Sequence, residues 1–286
     1  MNRKQLLPLL LLLYLPACVS LDQVRTFSKN ACGILSSIND LDYSFKASYI
    51  KYTLPGKDFD LSLKEPTPDT AALRLFGQAD ATIAMFSNAL LAYFSGLGQL
   101  ADPSTGSTDY SKLGDAIKGN EKVLNKLHIT GDQVEAGVSL AHKITDALTR
   151  HYKEEKIKEV ILEDTAAVRK VVEALSAGLS ELQNNIVSDQ GQLKAKYFLV
   201  TADPDIDKGA RILFAREYQK EVTELEEKKH AIAAQKRGLE VLYRGHQDIA
   251  DRLRDNKLSA GQILSLLEQY SADLQTIYND IKKLAK

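Results

Sequence analysis

The stretch SAGQILSLLEQYSADLQTIYNDIKKL, residues 259–284, decides the fold class. Ile263, Leu267, Tyr270, Leu274, Ile277, Ile281 and Leu284 recur at alternating steps of four and three, which puts all seven on one helical face in a strict heptad seam. Such a face must pack on another helix. Just before it, Ser259 and Gln262 have the spacing of a capping box.

The same logic carries upstream. Asp203-Pro204-Asp205 reads as a helix opening. The stripe Ile206, Ala210, Leu213, Val222, Leu225, Ile232, Leu239, Leu242, Ile249 and Leu253 then predicts one helix of about fifty residues, roughly 75 Å long. Residues 224–229 form its solvated face, with Glu224 and Lys228 one turn apart. Thr130-Gly131-Asp132-Gln133 is a further capping box. After it come two stripes, Val134 to Tyr152 and Ile157 to Tyr197, as one bent helix or as two, with 153–156 and 163–165 as the expected break points. Tyr197 to Thr201, β-branched and aromatic, is expected to leave the helix early.

In the first half of the chain, Leu21, Val24, Phe27, Ala31, Ile34, Ile38, Leu41, Phe45 and Tyr49 predict a single helix of roughly thirty residues, ending before Pro55-Gly56. Residues 54–66 read as a loop with at most a small hairpin arm. Thr67 as N-cap and Pro68 in the first turn open a second helix to about Ala101. Its later part, Ala81 to Ala101, is 21 residues without a charge. Gly96-Leu97-Gly98 lacks the third glycine of a dinucleotide fingerprint, and reads as a close helix contact or a helix end. A short helix from Tyr110 ends near His128. The fold class is therefore all-α: an elongated antiparallel helical bundle with long coiled-coil-like helices.

The first eighteen residues address the chain. Arg3 and Lys4 precede an apolar run from Leu6 to Leu15 that is too short to span a bilayer, the pattern of a secretory signal. Leu15-Pro16-Ala17-Cys18 then resembles the lipobox of bacterial lipoproteins, with Pro16 in place of the usual small residue. The resemblance implies cleavage before Cys18 and lipidation of Cys18, with acyl chains anchoring the protein to a membrane. Val19 in the following position implies, by resemblance to Gram-negative sorting, the outer membrane facing the periplasm. Residues 1–17 are then the signal peptide, and 18–286 a single elongated helical domain.

Composition bounds the function. Removing 17 residues from 286 leaves 269. With Arg3 and Lys4 gone, 35 basic residues face 38 acidic ones, a formal charge of −3 that offers nothing to nucleic acid. Cys32 is expected to be buried among apolar neighbours. The five histidines form no metal-spaced pair with each other or with a cysteine, and the nearest approach to an acid/base pair is Glu135 with His142. No Gly-x-Ser-x-Gly, Walker or EF-hand pattern occurs. No catalytic, cofactor or metal residue is assigned. The expectation is a membrane-anchored, noncatalytic envelope lipoprotein acting as a helical scaffold or protein-binding module, toxin neutralisation included. Its partners are the membrane, through Cys18, and an envelope protein. The alternative is a membrane-active protein resembling helical pore-forming toxins through 81–101, and the composition of that segment favours a core helix instead.

Overall fold

A computed structural model describes residues 21–53, 67–102, 104, 108–113, 124–149, 153–255 and 260–284. Among the described residues seven α-helices carry the fold: α1 (Leu21–Asn39), the short α2 (Phe45–Ser48), α3 (Thr70–Leu100), α4 (Gly131–Thr149), α5 (Lys153–Ala202), α6 (Lys208–Asp255) and α7 (Ala260–Leu284). Among the described residues there is no strand. Cys18, the loop 54–66 and Ser259 of the last capping box lie outside the described residues.

α5 and α6 form the frame. Their 50 and 48 residues give helices of about 75 Å and 72 Å. They pair antiparallel, with Lys236 donating to Ser180 Oγ and Gln183 Oε1, and Gln190 to Glu226 further along. α7 turns back on α6, α1 lies against α6, α7 and α3, and α4 closes the bundle against α3 and α5. Neighbours run antiparallel except for two pairs. α3 and α4 both run towards the open end of the hairpin. α1 and α7 both run away from it, with Gln23 beside Glu268 and Asn30 beside the Ser271 carbonyl.

The core follows the stripes. Val24, Phe27, Ala31, Ile34 and Ile38 of α1 are buried, as are Leu225, Ile232, Leu239, Leu242 and Ile249 of α6. On the α7 seam Ile263, Leu267, Leu274 and Ile281 are buried, with Tyr270, Ile277 and Leu284 at its margins. α3 is enclosed: Phe86, Ala89, Leu90, Tyr93, Phe94, Leu97 and Leu100 are all buried in the cluster shared with α1, α4 and α5. Gly96 permits that enclosure. A Cβ there would overlap Ile144 Cγ1 and lie 2.8 Å from its Cδ1, so α3 and α4 meet at van der Waals distance only because position 96 has no side chain.

Several boundaries differ from the sequence expectation, each for a local reason. The first stripe is broken at Asn39, because Ser44 caps a new turn by accepting from Ala47 N, and Asp80 of α3 accepts from Phe45 N and Lys46 N. After α2 a π-helical turn, Tyr49–Thr53, ends the segment. Asp69, rather than Thr67, caps α3, accepting from Ala71 N and Ala72 N at 2.8 and 3.3 Å. Asp203-Pro204-Asp205 forms the turn before α6 rather than its start, and Asp207 accepts from Gly209 N at the helix opening. Tyr197 to Thr201 stays helical, held by Tyr197 stacked on Tyr218 at 4.6 Å across the hairpin. The break after α4 precedes Lys153, while Glu163-Asp164-Thr165 is mid-helix: Thr165 Oγ1 donates to the Ile161 carbonyl and Lys143 pairs with Asp164 at 2.9 Å. Glu224 and Lys228 do not pair with each other. Lys220 and Lys51 reach Glu224, and Lys228 reaches Asp42. Of the Thr130 box, the Gln133 half is made, Thr130 N donating to Gln133 Oε1 at 2.9 Å. His128 ends the preceding turn in the left-handed region, φ 56°.

A buried polar knot ties the α2 turn to α5. Tyr43 Oη and Ser48 Oγ both donate to Asp189, and Asn185 Nδ2 donates to the same two hydroxyls. Burial raises the Asp189 carboxyl pKa, and the hydroxyls that donate to it pull the other way. Removing either hydroxyl would leave a buried acceptor short of a donor.

The Gly96 contact gives a test in which two effects have opposite signs. Helix propensity alone would make Gly96→Ala stabilising by about 1 kcal/mol. The overlap with Ile144 should instead make it destabilising by roughly 1–3 kcal/mol. In an Ile144→Ala background the same substitution should become neutral or favourable, read by a double-mutant cycle in urea.

Candidate functional site

Two features stand apart from ordinary packing, one at each end of the hairpin. At the open end, α1, α3, α5, α6 and α7 all bring a terminus together around a partly open cavity of about 230 Å³. Its wall is aliphatic, including Val24, Ile161, Ile249 and Leu267, with Phe27 and Leu97 beside them. Lys158 lines it and is exposed.

Two polar side chains interrupt that wall. His246 is 1 % exposed and Ser28 is 2 % exposed. His246 sits among aromatic rings, edge-on to Phe94 at 6.0 Å and tilted against Tyr93 at 5.5 Å. Its Nε2 lies 2.7 Å from Tyr93 Oη. Tyr93 is itself fully buried, and its hydroxyl hydrogen is used only if it donates to Nε2. That assignment leaves Nδ1 as the N–H of a neutral ring. Neither Nδ1 nor Ser28 Oγ has a hydrogen-bond partner. Burial pushes the His246 pKa down to about 3, so the ring is uncharged throughout the physiological range.

At the closed end, the tip of the α5/α6 hairpin is apolar on its surface. Phe198, Leu199, Ile212, Leu213 and Phe214 are 56, 64, 46, 66 and 45 % exposed. Arg211 folds back on the turn, donating to the carbonyls of Asp203, Pro204 and Ile206, which fixes the angle at which the two helices present these side chains. Scattered apolar residues on a surface are ordinary; five large ones on a single tip form a concentrated exposed patch.

The residues singled out from the sequence fall elsewhere. Glu135 is exposed and His142 half-buried, both on α4. Among the described residues no group of three or more His, Cys, Asp or Glu side chains is arranged to hold a metal ion. Cys32 is half-buried, its Sγ 3.9 Å from the Leu91 carbonyl, and burial raises its pKa to about 12, so it stays a thiol at neutral pH. The cavity histidine was legible in principle: His246 falls four residues after Leu242 and three before Ile249, on the buried stripe of α6. It has no histidine or cysteine at metal-ligand spacing to mark it. No family model matches the chain, and no curated protein or solved structure is significantly similar to it.

His246 gives a pH test. Its folded pKa, about 3, lies below the unfolded value of 6.5, so protons bind preferentially to the unfolded chain between these limits. The contribution of His246 should therefore lower stability as pH falls from 6.5 towards 3, with a slope approaching 1.4 kcal/mol per pH unit. The difference in unfolding free energy between wild type and His246→Gln should carry that slope. A difference independent of pH would mean that the ring is not buried neutral.

Proposed function

We propose that the protein is a noncatalytic lipoprotein of the bacterial cell envelope, anchored through lipidated Cys18 and binding a protein partner through the tip of its helical hairpin. The observation that carries this reading is the exposed apolar tip, set at the far end of helices about 75 Å long from Leu21, the first described residue of α1. An anchor at one end and a recognition surface at the other make a spacer that holds its partner away from the membrane. The partner fits best as a protein with an apolar groove, since aromatic and aliphatic anchors of this kind dominate protein interfaces. A bilayer fits less well, because Asp203, Asp205 and Asp207 occupy the apex between the apolar residues and would meet the negative surface potential of anionic lipid. The outer membrane, facing the periplasm, is the location that the residue after Cys18 favours.

The membrane-entering alternative loses support from the packing of α3. That helix is long and apolar enough to cross a bilayer, yet 61 % of its most apolar window is buried inside the bundle. Extracting it would expose Phe86, Leu90, Tyr93, Phe94 and Leu97 together.

Cys18→Ser should abolish incorporation of labelled fatty acid and move the protein from the membrane to the soluble fraction. A wild type that takes up no label would end the anchoring claim. Phe198→Asp with Leu213→Asp should change stability by less than about 1 kcal/mol, since both side chains are more than half exposed. A photo-crosslinker at Leu199 in living cells should give one discrete protein adduct that this double variant removes, while the same crosslinker at exposed Gln275 of α7 gives none. Lipid adducts at Leu199, or none at all, would overturn the tip as a protein-binding surface.

A further inference from the structure

We propose that the cavity at the open end of the bundle is a binding site for a small uncharged aliphatic molecule carrying one carbonyl or hydroxyl oxygen, its chain against Val24, Ile161, Ile249 and Leu267 and its oxygen on Ser28 Oγ and His246 Nδ1. This site is separate from the hairpin tip and does not depend on the anchoring or on the partner.

Three observations define the ligand. The first is size. An enclosed apolar cavity of about 150 Å³ holds benzene, so one of about 230 Å³ has room for roughly eight to ten carbon atoms. The second is polarity. Buried polar atoms are almost always paired, and each one left alone costs roughly 1–3 kcal/mol. Several buried side chains here keep an atom without a partner, and two of those residues, Ser28 and His246, on different helices, line the same cavity, although Ser28 could be alanine and His246 phenylalanine if the space served only packing. Both can donate: Ser28 through its hydroxyl, and His246 through the Nδ1 hydrogen left when Tyr93 occupies Nε2. Two donors and an aliphatic wall select an acceptor oxygen on an aliphatic body. The third is charge. Among the described residues the buried part of the wall holds no cation, since His246 is neutral and Lys158 is exposed. A carboxylate drawn inside would be desolvated without a counter-charge, so ketones, esters and alcohols fit where fatty acids do not.

The test uses the full chain carrying Cys18→Ser, so that no acyl group of its own competes, and 2-octanone and octanoate as probes. Calorimetry should show saturable one-to-one binding of 2-octanone, with octanoate at least tenfold weaker at neutral pH. Ser28→Ala should weaken 2-octanone by roughly two- to tenfold, the worth of one hydrogen bond. That variant removes an unpaired buried hydroxyl and should fold at least as stably as the parent, which keeps the test decisive. Ile161→Phe should fill the cavity and abolish binding, and nuclear Overhauser contacts from the 2-octanone methyl groups should fall on Val24 and Ile249. No saturable binding, unchanged affinity in Ser28→Ala, or octanoate binding as tightly as 2-octanone would each overturn the proposal; the first would mean that the cavity holds water alone.

Discussion

A helix that is apolar on nearly every side has to be surrounded, and this constraint organises the molecule. α3 has no charged residue between Ala81 and Ala101, so neither face can be left to solvent. One neighbouring helix could not cover it. α1, α4 and α5 do so together. The missing side chain at Gly96 is the clearest expression of this, since it lets Ile144 reach the surface of α3 itself. Around that packed centre α6 and α7 complete the bundle, while the far part of the α5/α6 hairpin extends as a two-helix arm.

Buried polar groups divide into two kinds in this fold. Asp189, Tyr43, Ser48 and Asn185 satisfy one another, and the knot they form fixes where the chain after α1 docks on α5. A satisfied network of this sort specifies a unique arrangement of the core around it. Ser28 and His246 are the opposite case. Both line the cavity, and each keeps a buried atom without a partner. The first kind explains itself within the chain, whereas the second leaves hydrogen-bonding capacity unused in the folded chain.

Structure is most legible in this sequence where the periodicity is long. The seam of α7, the stripe of α1 as far as Ile38, that of α6 from Leu225 onward and the burial of most of the uncharged part of α3 follow from apolar spacing, because burial is collective and many residues report it at once, whereas Leu213, on the same α6 stripe, is 66 % exposed at the tip. Helix ends were harder. A cap rests on one or two hydrogen bonds, and Asp69 and Asp207 compete with nearby threonine and aspartate residues that offer similar chemistry. The break at Asn39 was hidden for a different reason: Asp80, which caps the α2 turn, is 35 residues from Phe45. Tyr197 to Thr201 stayed helical against its propensity because Tyr218 stacks on it from the other helix. The cavity was unreadable as a space, since its walls come from five helices, although its histidine sits on a stripe that could be read.

The interlocking of α1 has a mechanical consequence. α1 begins at the open end of the bundle and runs toward the hairpin tip, antiparallel to α6, with Ile34 seated against Gly238 and Phe27 against Gly245. A pull applied between the N-terminus of α1 and the tip is therefore directed along the helix axes. Under that load the side chains cannot peel apart one turn at a time. They must slide past their notches together, so resistance is set by the rate of crossing a single shared barrier rather than by the strength of any one contact. A tether attached at this terminus pulls the bundle in shear, the direction in which close-packed helices yield last.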